Sequence, residues 1–81
     1  MIIVIEEVRS VELIRHNIEA ERGRKQMSKE ALSRELNITS RTYWNYLTGG
    51  PIPSDKLIRM AKLFECSTDY LLGLTDRRAG A

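Results

Sequence analysis

The stretch TSRTYWNYLTGG, residues 39–50, gathers side chains suited to making specific contacts. At 3.6 residues per turn, Tyr43, Tyr46 and Leu47 share one face of a helix. Ser40, Arg41, Trp44 and Thr48 share the opposite face, with Asn45 close by. An arginine fork and a carboxamide can each make a pair of hydrogen bonds to one planar partner, and the hydroxyls add single ones. This is the chemistry of recognition rather than of bond making. The large apolar ring of Trp44 on the polar face is the feature that needs an account.

Groups that could do other chemistry are few. His16 and Cys66 are the only histidine and cysteine in 81 residues, so they supply neither a disulfide nor a metal set. His16 belongs to a first helix and reads as a surface residue. Cys66 lies between Glu65 and Ser67 and reads as a small buried hydrophobe. No glycine-rich phosphate loop and no carboxylate pair is visible. An enzyme is therefore not expected, nor is a metal, a cofactor or a small-molecule ligand.

At 42% hydrophobic and 30% charged residues the chain has the composition of one small globular domain. The opening MIIVI is too short for a signal-peptide core or a membrane span. A cytoplasmic protein without membrane contact is expected. The net charge is +2, but it is unevenly spread. Residues 1–21 set Glu6, Glu7, Glu12, Glu19 and Glu21 against Arg9 and Arg15, whereas residues 22–41 set Arg22, Arg24, Lys25, Lys29, Arg34 and Arg41 against Glu30 and Glu35. The second block becomes a footprint for phosphate if the fold turns it to one side.

Five short helices must position these groups. Ser10 is expected to cap the first, with Val11, Ile14 and Ile18 as its apolar stripe and Gly23 near its end. Ser28 caps a second, with Leu32 and Leu36 inward; Asn37 ends it, being tolerant of a left-handed backbone. Thr39 caps the third and Gly49-Gly50-Pro51 stops it. Ser54 with Asp55 starts a fourth, with Leu57, Ile58, Ala61 and Phe64 as its inner face. Ser67 with Asp69 starts a short fifth containing Tyr70, Leu71 and Leu72. The expected fold class is all-α and compact. Its parts are an N-terminal extension over 1–9, a domain over 10–74, and a flexible tail over 75–81 with nothing to bury.

Residues 1–8, MIIVIEEV, leave two readings open. The β-branched run favours a strand, which would need pairing with a second chain and so could dimerise the protein. The spacing of Val4, Val8 and Val11 also continues the helical stripe, giving an extra helical turn instead.

Ser33 and Asn37 bear on how the second and third helices meet. A three- to four-residue turn between steeply crossed helices needs a tolerant turn residue and a small side chain at the crossing. With NIEAER (17–22), MSKEALSRELNIT (27–39), the glycine pair, and LIRMAKLFECSTDYLLGLTD (57–76), the sequence resembles the phage-repressor and Cro-like helix-turn-helix family, lambda-repressor-like and XRE-type. The likeness covers roughly residues 11 to 76. It implies a five-helix domain acting as a transcriptional regulator, a repressor, bound as a homodimer to two-fold symmetric double-stranded DNA.

Carried over by position, the resemblance implies base contacts from Ser40, Arg41, Trp44 and Asn45. It implies backbone contacts from Ser28, Lys29, Thr39, Thr48 and Gly49. The chemistry agrees: Arg41 can fork onto guanine, Asn45 onto adenine, and a helix N-terminus suits a phosphate. For Arg41 a solvated or phosphate-bound guanidinium stays open beside guanine readout. Trp44 has three readings: contact with a thymine methyl or sugar, folding back over Leu47 to close the core edge, or a protein-binding patch with Leu47. The last supports the alternative function, an antitoxin-like interaction module on the same fold. Tyr43 and Tyr46 occupy core positions.

Three residues depart from the family pattern. Asn37 and Glu65 stand where glycine is common. Leu47 stands where the resemblance puts an acid paired to the arginine that Arg22 matches, so Arg22 is expected to reach solvent or a phosphate.

Overall fold

The computed structural model describes residues 2–78, with side chains from residue 11 onward. The described chain is all-α: α1 (Ile2–Arg24), α2 (Lys29–Leu36), α3 (Ser40–Leu47), α4 (Ser54–Phe64) and α5 (Thr68–Leu71). The backbone of 2–10 is helical and continuous with α1. Of the two readings for the N-terminus, the helical one holds and the strand does not form. A helix satisfies its backbone groups internally, whereas a lone strand here would have no partner. Ser10 consequently lies inside α1 and is not its N-cap. The side chains of 1–10, and with them the dimerising role expected for residues 1–9, lie outside the described residues.

The core is built from one stripe of each helix. Ile18, Leu32, Met60, Phe64 and Leu71 are fully buried, with Leu36, Tyr43 and Leu47 nearly so. Each such aliphatic side chain stabilises the fold by about 1.5–3 kcal/mol relative to exposure. Through these stripes α1 packs on α3 and α5, α2 on α3 and α4, and α4 on α5. One expectation for α4 is corrected. Ile58 is 47% exposed, and Met60 takes the inner position instead, because it stands three residues after Leu57 and four before Phe64. The helix starts at Ser54, as the sequence predicts, and its N-cap is Pro53, with no side-chain cap bond. Proline's fixed φ prepares that start without a capping oxygen.

The other three caps form as read. Ser28, Thr39 and Ser67 adopt extended backbone and accept from the N–H of Ala31, Thr42 and Tyr70, each at 3.0 Å. Three helices end in the same way. Gln26, Asn37 and Glu65 all take a left-handed conformation, with φ of 56°, 57° and 57°. At each, paired backbone bonds close the last turn: Gln26 and Met27 donate to Gly23 and Arg22, Asn37 and Ile38 to Arg34 and Ser33, Glu65 and Cys66 to Lys62 and Ala61. None of the three is glycine. The Lys25 Nζ to Glu65 Oε2 contact, 2.6 Å, ties the first of these turns to the third.

The segment after α5 is anchored. Arg78 donates to both Glu21 carboxylate oxygens at 2.7 and 2.8 Å and to the Phe64 carbonyl at 2.8 Å, while its own carbonyl accepts from Ser67 N–H at 2.7 Å. The expectation that 75–81 has nothing to bury fails at this residue: it covers Glu21, an acid 2% exposed on α1. Residues 79–81 lie outside the described residues. No helix among the described residues is long and apolar enough to cross a membrane.

Candidate nucleic-acid interface

The α2–turn–α3 unit sets the candidate surface. Leu32, Ser33 and Leu36 pin α2 to the core, Asn37 reverses the chain, and Tyr43, Tyr46 and Leu47 pin α3. The small side chain expected at the crossing, Ser33, is 4% exposed, and its hydroxyl has no hydrogen-bond partner among the described residues. With one face of α3 buried, the other is open. Ser40, Arg41, Trp44, Asn45, Thr48 and Gly49 are all solvent-exposed, as are Ser28, Lys29 and Thr39. All nine residues singled out from the sequence thus lie on accessible surface of α2, α3 and the segments flanking them.

Their hydroxyls are not equally available. Ser28 Oγ accepts from Ala31 N–H, which leaves its own hydrogen for an outside acceptor. Thr39 Oγ1 accepts from Thr42 N–H and donates to Thr42 Oγ1 at 3.0 Å. Thr48 Oγ1 donates to the Trp44 carbonyl at 3.0 Å, so it reaches a phosphate oxygen only by rotating away. The loop behind it is tight. Gly49 has φ of 106°, Gly50 N–H donates to Asn45 O at 2.7 Å, and a Cβ on Gly50 would stand 2.8 Å from that oxygen.

Trp44 is 50% exposed and belongs neither to the core nor to the residues packed on it. The Arg15 guanidinium of α1 stands over its ring at 5.8 Å from the centroid. Leu47 is 2% exposed, so the reading in which Trp44 and Leu47 form a joint apolar patch fails. Helical spacing explains why: Leu47 is four residues from Tyr43 and shares its buried face.

Arg22 is bound within the fold, with its side chain 20% exposed. Its Nε and Nη2 donate to Glu19 at 3.1 and 2.9 Å, and Nη1 donates to the Met27 carbonyl at 2.8 Å. Tyr43 completes the group by donating its hydroxyl to Glu19 Oε2 at 2.6 Å. Glu19, three residues back on the same helix, therefore does the work that Leu47 cannot. Hydrogen bonding from Arg22 holds the Glu19 carboxyl below its ordinary range against the opposing effect of burial, with Tyr43 helping. Burial, followed by the bond to Glu19, pushes the Tyr43 phenol well above its ordinary range. On the far side, hydrogen bonding from Arg78 lowers Glu21 in the same way, aided by Arg24.

The basic block is thus smaller than its count. Arg22, Arg24 and Lys25 are paired to Glu19, Glu21 and Glu65. Lys29, Arg34 and Arg41 make no ion pair among the described residues, and neither does Arg15, which belongs to the acidic segment 1–21. His16 is exposed on α1, while Cys66 is partly buried after α4 with its thiol pushed up, first by burial.

A family model described as helix-turn-helix matches residues 18–71. The chain is 37% identical over 51 residues to an uncharacterized HTH-type transcriptional regulator, YobD, of Bacillus subtilis (strain 168). That alignment covers 62% of this chain and 46% of the relative, so the chain spans about half the relative's length. No solved structure matches the chain.

Proposed function

This chain belongs to the helix-turn-helix family, and on that premise we propose that it is a sequence-specific, double-stranded DNA-binding transcriptional regulator, a phage-type repressor. It binds a two-fold symmetric operator as a homodimer, with α3 in the major groove. The observation that carries the reading is the two-sidedness of α3. Tyr43, Tyr46 and Leu47 are buried, while Arg41 and Asn45, whose planar groups match guanine and adenine edges, face solvent on the same helix.

In this reading Ser40, Arg41, Asn45 and the exposed edge of Trp44 meet the bases. Ser28, Lys29, Thr39, Thr48 and Gly49 meet the sugar-phosphate backbone, Ser28 through its uncommitted hydroxyl hydrogen. Thr48 contributes after its hydroxyl leaves the Trp44 carbonyl. A single α3 reads only a few base pairs, so two copies are needed, with half-sites about 34 Å apart. The relative's name, a transcriptional regulator, fits this reading. The chain works in the cytoplasm, where it meets the DNA it regulates.

Selection from a pool of random duplexes tests the proposal, because the output reports sequence, symmetry and spacing together. The expected result is a palindrome whose affinity falls steeply with salt, by about 0.9 log unit per log unit for each phosphate neutralised. A pool that enriches no sequence, with weak binding even at low salt, would overturn it.

A further inference from the structure

Arg15 is a cation that neither the helix-turn-helix unit nor the core uses. It projects from α1, is exposed, and makes no ion pair among the described residues, although Glu12 stands three residues away on the same helix. Its guanidinium instead lies over the Trp44 ring, 5.8 Å from the centroid. Trp44 is half exposed and stands on the open face of α3, in line with Ser40 and Arg41. A guanidinium drawn over an indole by its charge still carries five N–H donors, more than the ring can engage. The other carboxylate nearby, Glu19, is held by Arg22 and Tyr43. Arg15 is therefore a pre-positioned donor fork at the margin of the α3 surface.

We propose that Arg15, held on Trp44, is a phosphate-binding residue of the DNA interface, and that Trp44 acts chiefly as the shelf that positions it. This rests on the DNA-binding reading above. It extends the contact surface from α2 and α3 onto α1, and it answers why a large ring occupies a polar face. The ring supports a cation where a shorter side chain would leave the guanidinium to swing toward Glu12. A phosphate contact carries no base information, so Arg15 adds affinity without preference.

The test is a double-mutant cycle on the selected duplex and on an unrelated one, with salt titration, using Arg15→Ala, Trp44→Leu, the pair, and Arg15→Lys. Both side chains are exposed, and thermal melting of each variant establishes that it folds. Arg15→Ala is expected to weaken both duplexes several-fold by the same factor and to make the log–log salt slope shallower by about 0.9. On the unrelated duplex Trp44→Leu should lose much of the same affinity and the pair should be little worse than Arg15→Ala alone, while on the selected duplex both Trp44 variants lose in addition what the ring edge contributes at the bases. Arg15→Lys should keep the slope and recover only part of the affinity, since an ammonium lacks the fork. Strictly additive losses, or an unchanged salt slope in Arg15→Ala while Arg41→Ala still weakens operator binding, would overturn the proposal and leave the DNA reading standing. Failure of the unmutated chain to bind any duplex would overturn both.

Discussion

The Tyr43 hydroxyl donates to Glu19 Oε2 at 2.6 Å, joining the buried face of α3 to an α1 carboxylate that Arg22 already grips. The contact replaces an ion pair that Leu47 forecloses, and it fixes the depth at which α3 sits against α1. Tyr43→Phe keeps the ring and removes only the donor. It should destabilise the domain by about 1.5 kcal/mol, the lower end for a hydrogen bond to a charged group, because Glu19 is partly solvated and keeps Arg22. Denaturant melts measure the loss. A variant as stable as the parent would mean that Arg22 alone fixes Glu19.

Stability should fall on the acid side. Glu21, and likewise Glu19, titrates below its ordinary value when folded, because Arg78 and Arg22 respectively donate to it. In the unfolded chain both titrate near about 4.3. The unfolded state therefore binds more protons across that window. The stabilisation is fully present above the unfolded value and is lost as pH falls through it toward the folded one. Melting temperature against pH should drop below about pH 5. Glu21→Gln should lower it at neutral pH and flatten the acid limb.

Gln26 holds a left-handed backbone angle without the freedom of glycine, and no side-chain hydrogen bond of Gln26 compensates among the described residues. Gln26→Gly should stabilise the domain by about 1 kcal/mol. Glu65→Gly relieves the same strain but also removes the Lys25 contact, so its gain should be smaller. Comparing the two melts separates backbone relief from the ion pair.

For the interface, Arg41→Ala should weaken operator binding by about 1–3 kcal/mol and relax preference at one base pair. Affinity across a set of single-base operator variants measures this. Equal loss on every sequence would assign Arg41 to a phosphate instead.

The helices, three of their caps and the exposed face of α3 were legible because each depends on near neighbours. Ser28, Thr39 and Ser67 cap through a bond three residues on, and Asn37 is a residue type that tolerates its own angle. What was illegible depends on distance or on residue types with no local signature. Nothing in a glutamine announces the left-handed turn at Gln26. The clasp of Arg78 on Glu21 spans 57 positions, and in composition its segment resembles any charged tail. Glu19 and Arg22 are a three-residue helical pair, a spacing so common on helix surfaces that it does not by itself mark a contact replacing the acid that Leu47 displaces. The approach of Arg15 to Trp44 brings together two helices that no periodicity relates.

Trp44 is the sole indole in the chain, half in solvent and under a cation. The protein therefore carries its own optical gauge at the surface where a duplex would dock. Light emitted from this one ring reports on one place alone, with no dye attached, and its change on titration with DNA should track occupancy of that surface directly.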